Sequence, residues 1–256
     1  MRIFQAALFS SLLFLGVLLC LHIGWQLGRR RLRANGEDSV AGLGALEGAI
    51  YALMGLLVAF TFTGAAARFE QRRDLITQEV NAIGTAWLRL DLLEPETRGE
   101  VKTLFKQYLD VRIDTYAHAT ETGVAGWLTK GAELQSAIWT RLAAAARQDS
   151  TPRTASLVLP PVNEMFDLAT TRLLATRRHP PIAIYLMLGS MVLVSALLAG
   201  FGMAKANSQS RLHLVSFAAV LSAAIYLIID LEFPRLGLLR VDDFDQAFVQ
   251  LRQSME

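Results

Sequence analysis

One cysteine, Cys20, stands in 256 residues, so no disulfide within the chain is possible and cysteine usage leaves the redox compartment open. The net charge is only +2, and no basic stripe interleaved with aromatics occurs, which sets nucleic acid aside as a partner. There is no phosphate-cradling glycine loop, no Gly-x-Ser-x-Gly elbow and no pair of histidines at a zinc-ligand spacing, since His22, His118, His179 and His213 are scattered. With no nucleophile, metal set or cofactor loop, the sequence reads as no enzyme, with no catalytic residues, no metal and no cofactor. Period-2 alternation is missing between the apolar blocks, which argues against strands.

Long uncharged runs are what the chain has in their place. Residues 3–28, 48–67 and 180–204 contain no Asp, Glu, Lys or Arg, and 212–229 holds His213 as its one ionisable side chain of basic type. About 20 apolar residues cross the hydrocarbon core of a bilayer as one helix, so four spans are expected. The first run exceeds a secretory h-region and lacks a small-x-small site before Arg29, which predicts a retained span. The expected architecture is all-α: a first transmembrane hairpin over 1–67, a soluble helical domain over 68–179 continuing from the second span, a second hairpin over 180–231, and a C-terminal tail with a short helix over 232–256. Four spans make a multi-pass protein of the cell (inner) membrane, with membrane lipid as its surroundings.

Between the hairpins, Val80, Ile83, Trp87 and Leu90 recur at helical spacing and should bury one face of a helix that ends near Glu94-Pro95. Helices are then expected over 96–118, 128–147 and 154–177, with breaks at Gly123, Gly126 and Thr151-Pro152. Pro160-Pro161 predicts a kink or a fresh start at Val162, because proline lacks the backbone donor and clashes with the preceding turn. Pro180-Pro181 should open the third span.

Candidate functional residues cluster on the second span. Gly44, Gly48, Ala52, Gly55, Ala59, Thr63 and Ala67 form a small-residue stripe that allows close helix approach in lipid; Gly48, Gly55 and Ala59 are its expected packing positions, within the chain or at a seam between copies. Ala52, Leu56 and Phe60 stack at i, i+4 and i+8, which fits core, a lipid-facing strip or the ring of a pore neck. Glu47 suits either a cation site or the first turn of a helix, where the macrodipole favours an anion. Asp230 and Glu232 close the fourth span, expected at the interface, with Arg68 or Arg72 as possible charge partners. The Lys and Arg distribution divides: the larger count lies on the side of the termini and middle domain, while Arg29, Arg30, Arg31 and Arg33 crowd the short first loop.

Leu57-Val58-Ala59-Phe60, followed by Arg68-Phe69, Arg73 and Leu75, resembles the end of the second span in bestrophins. More closely, several motifs together resemble a bacterial bestrophin-like membrane family of unknown function. They are Leu46-Glu47-Gly48, Phe60-Thr61-Phe62, Arg72-Arg73, the run from Glu79 to Ala86 with Arg89 and Asp91, and Asp230-Leu231-Glu232 with Pro234, Gly237 and Arg240. The resemblance implies an oligomeric ion channel, a homo-oligomer that is a pentamer if it follows bestrophins, passing small ions through a pore lined by the second span. Ala52, Leu56 and Phe60 would form its neck, and the termini and middle helices would be cytoplasmic. The alternative is a non-conducting membrane sensor or scaffold whose helical domain binds a partner or ligand. Phe69-Glu70 departs from bestrophins, which carry two aromatics after the Arg. Asp242, Asp243 and Asp245 resemble the calcium clasp of animal bestrophins, but helix N-capping before a helix over 244–255 accounts for them more simply.

Overall fold

The computed structural model describes residues 2–35, 43–117, 124–150, 152–205, 211–235 and 237–256. Among these there is no strand. The helices are α1 (Arg2–Asn35), α2 (Leu43–Arg89), α3 (Pro95–Ala117), α4 (Val124–Gln148), α5 (Leu159–Arg177), α6 (Ile182–Gly202), α7 (Arg211–Glu232) and α8 (Asp242–Gln253). Four stretches, carried by α1, α2, α6 and α7, are long and apolar enough to cross a membrane. The expected breaks at Gly123 and Thr151 lie outside the described residues, as does His118. Gly126 lies inside α4, two residues past its start, so the break expected there does not occur.

The chain forms two compact units. The first comprises Met1–Phe69 and His179–Leu239, and the second Glu70–Arg178 and Arg240–Glu256, so α2 supplies residues to both. The segment expected as a tail is thereby divided, with α8 part of the second unit.

In the first unit α1 packs along α6 and α7. Leu13, Val17 and Leu21 of α1 face a core shared with Leu188, Val192 and Ala196 of α6, each set repeating every four residues. Such i±4 rows are the ridges through which helices interdigitate. α2 adds Met54 and Ala65 to the fully buried part of this core.

The second unit is a helical cluster around Phe105, Tyr108 and Leu109 of α3, with Ile76 and Ile83 of α2, Leu90 just past its end, Ile138 and Leu142 of α4, Met165 of α5 and Phe248 of α8. Its α2 segment ends in a 3-10 turn over Leu90–Leu92; Leu93 is extended, with φ −81° and ψ 156°, and Pro95 opens α3 two residues on. The segment before α5 differs from expectation. A π-helical turn covers Thr154–Val158 and runs without interruption into α5 at Leu159, so Pro160-Pro161 fall just past the π turn inside a continuous helix and no fresh start occurs at Val162. Asp149 accepts a hydrogen bond from the Thr154 N–H at 2.8 Å, and bonding to Thr154 holds its carboxyl below the ordinary range. The α8 cap also differs: Val241 is the N-cap and Asp242 the first helical residue, and the side chains of Asp242 and Asp243 lie outside the described residues.

Candidate functional site

On the span of α2, Ala52, Leu56 and Phe60 all lie on the exposed side, Leu56 at 50% and Phe60 at 66%. Gly48, Gly55 and Ala59 share that exposure. A Cβ placed on Gly44, Gly48 or Gly55 would meet nothing within 4 Å, so the stripe is not a packing face within this chain. The close backbone approach occurs elsewhere. A Cβ on Gly24 of α1 would fall 1.9 Å from the Leu197 carbonyl oxygen, and one on Gly200 of α6 would fall 2.1 Å from that of Leu21. Gly28 is equally confined, with Ala204 Cβ at 2.5 Å and the Phe201 carbonyl oxygen at 2.7 Å. Gly24 and Gly28 form a Gly-x-x-x-Gly pair, the pattern that lets two helix backbones touch in lipid, and this pair was the signal for the true contact.

Where α2 leaves its span, Arg68 donates through Nε and Nη2 to Glu232 Oε2 at 2.9 and 2.8 Å. Glu232 is fully buried, and its other oxygen lies 3.1 Å from His179 Nδ1, while the His179 ring stacks on Phe233 with centroids 4.7 Å apart. Asp230 does not take part in this pair. Its carboxylate accepts the backbone N–H groups of Leu238 and Leu239 at 2.9 Å each, closing the turn after α7. That closure requires Gly237, where a Cβ would fall 1.6 Å from Asp230 Oδ1. Glu47 sits beside Gly202, with Oε2 3.1 Å from where a Cβ would stand. Arg72, four residues past Arg68, belongs to the second unit and donates to the carbonyls of Ala175 and Arg178 at 3.4 and 3.0 Å. Of the charged residues singled out from the sequence, Arg68 pairs with Glu232.

The densest charge cluster lies in the second unit. Glu79 of α2 is fully buried and accepts from Arg112 of α3 at 2.7 Å and from Arg172 of α5 at 3.0 Å. Arg172 also pairs with Asp245 of α8. Arg112 donates to the Tyr116 hydroxyl at 2.7 Å, and the Arg172 guanidinium lies 3.4 Å from the Tyr116 ring centroid. Two cations and two anions therefore tie four helices together. Burial works against the Arg112 charge, yet Glu79 holds its pKa above the ordinary value. Burial also pushes the neighbouring Tyr108 hydroxyl up to about 12, so it stays a donor and acceptor at any physiological pH. Asp245, one of the three acids that resembled a calcium clasp, is thus occupied by an arginine. Among the described residues no group of three or more His, Cys, Asp or Glu is placed to hold a metal ion.

Glu79 was not singled out as a site residue, although a signal existed: it falls on the apolar face with Leu75, Ile76, Ile83 and Ala86, all buried. An acid on such a face needs a buried partner.

An all-α, multi-span membrane protein is the class that these helices define. The bestrophin-like domain matches residues 6–244, and the chain belongs to the bestrophin-like family. No curated protein and no solved structure matches it.

Proposed function

We propose that the protein is an oligomeric ion channel of bestrophin-like kind, in which α2 lines the path and Ala52, Leu56 and Phe60 form its neck. The observation that supports this reading is the bareness of α2. Only 11% of its most apolar window is buried, against 22% in each of the other three. A span exposing Leu53, Leu56 and Phe60 on one flank and open glycines on another fits a helix whose neighbours come from further copies. Gly48, Gly55 and Ala59 then belong to a seam between copies, and the assembly is a pentamer if it follows bestrophins. A ring of Phe60 side chains would restrict small ions by making the constriction unfavourable for water.

Phe60→Ala is expected to raise ion flux through reconstituted vesicles several-fold. Phe62, turned about 200° away around the helix, should matter less. Oligomeric state and melting temperature are measured beside flux. An assembled Phe60→Ala protein and a parent both as silent as empty vesicles would move the reading to a membrane sensor or scaffold.

The membrane is proposed to be the inner one, with both termini and the second unit on the cytoplasmic side, in line with the larger Lys and Arg count there. A reporter active only outside the cytoplasm, fused after Glu256, is expected to stay silent; strong activity reverses the orientation.

A further inference from the structure

A groove of about 300 Å³ runs between α2, α6 and α7 in the first unit, with walls that include Leu57, Phe60, Gly64, Ile184 and Leu188. Arg68 is the one charged side chain among its lining residues. The Thr61 hydroxyl, which also lines it, is satisfied internally by the carbonyls of Leu57 and Val58 at 2.7 and 3.0 Å. The groove is therefore lined mainly by apolar side chains, with Tyr185 among its walls, and is cationic at its Arg68 end.

Its dimensions point to an occupant. From Leu57 to Arg68 a helix rises about 16 Å, at ~1.5 Å per residue. That is about half of the ~30 Å hydrocarbon core, the depth of one leaflet. Arg68 and Pro180 stand where α2 and α6 meet the end of the uncharged stretch, so the cationic end lies at headgroup level. The guanidinium is arranged for a second anion. Nε and Nη2 share one Glu232 oxygen, whereas Nη1 turns to the groove beside Gly64, 3.3 Å from where a Cβ would stand. Any larger residue at position 64 would crowd that nitrogen. Glu232 Oε1 faces His179, and Arg68 holds the other carboxylate oxygen, Oε2.

We propose that this groove binds one acyl chain of an anionic phospholipid from the bilayer, with the phosphate accepting from Arg68 Nη1. A volume at the lower edge of small-molecule sites suits one chain rather than two. Charge-assisted bonds from arginine to phosphate favour an anionic head over a zwitterionic one. Phe60 borders this groove as well as the neck proposed above, so the test reads lipid retention rather than ion flux.

Native mass spectrometry of the full chain in detergent tests it, with dioleoylphosphatidylglycerol, dioleoylphosphatidylcholine and oleate added separately at equal concentration. The parent is expected to retain the phosphatidylglycerol at least tenfold over the phosphatidylcholine. Arg68→Gln combined with Glu232→Gln, which removes both charges together, should erase the preference. Gly64→Leu, which keeps both charges, should reduce retention, while Gly99→Leu, on an open face of α3 and outside the groove, should not. Equal retention of the two phospholipids by the parent overturns the proposal, whatever the variants do. A preference that survives Gly64→Leu overturns it too, and retention of oleate without phosphatidylglycerol overturns the choice of a bilayer phospholipid.

Discussion

Glu79→Gln is expected to cost the protein about 3–5 kcal/mol, the range for leaving one side of a buried ion pair without its partner. The reason is that arginine has no neutral form to retreat to, so Arg112 and Arg172 keep their charges inside the unit when the carboxylate is gone. Both are at least nine-tenths buried, at 6% and 3% exposure, and water cannot replace what Glu79 supplied. Asp245 remains for Arg172, but Arg112 is left with the Tyr116 hydroxyl and the ring below it. The contrast is Arg252→Gln. It breaks the Asp110 pair, which is 26% and 51% exposed, and pairs of that kind contribute no more than about 1 kcal/mol. Thermal melting of the two variants in the same detergent separates them. Similar melting temperatures for Glu79→Gln, Arg252→Gln and the parent would mean that the cluster contributes little to stability.

Gly200→Ala should be at least as damaging, although it adds one methyl group. The new Cβ would stand 2.1 Å from the Leu21 carbonyl oxygen, 2.8 Å from its carbon and 2.9 Å from its Cα. These are backbone atoms in a helix and cannot swing aside, so α1 and α6 must part along the row where Leu13, Val17 and Leu21 meet Leu188, Val192 and Ala196. In lipid, close packing is the main force holding two apolar helices together, and separation forfeits it over the whole row. The expected result is loss of the monodisperse protein on gel filtration, or a destabilisation in the exceptional range above about 4 kcal/mol. Gly99→Ala, in the interior of α3, is the matched control. It has open space around it and gains up to about 1 kcal/mol of helix propensity. A Gly200→Ala protein that purifies and melts like the parent would show that the backbones can separate without loss.

Gly200 and the glycines of α2 show what the sequence left open. Small residues recur in α1, α2 and α6 alike, and nothing in their spacing says which stripe meets another backbone. The stripe on α2 is the longest, yet it faces away from the other spans, and the shorter Gly24, Gly28 and Gly200 set makes the contact. Arg68 shows the same limit: Asp230 and Glu232 were equally eligible partners two residues apart, and the turn at Gly237 claims the first for the backbone while the second meets the guanidinium. Pro160-Pro161 were legible as a disturbance, but the π turn that takes them up inside a continuous helix depends on carbonyls placed by the preceding residues.

By itself, then, the sequence determined the helical class, the four uncharged spans, the long α2 and the family, because hydrophobic length, period and punctuation are local properties of a chain. The tertiary structure alone decided the partners. Glu79 meets Arg112 across 33 residues and Arg172 across 93, and Arg68 meets Glu232 across 164. Pairing over such distances is fixed by which helix faces pack, a choice that rests on the fit of many side chains at once rather than on the identity of any two.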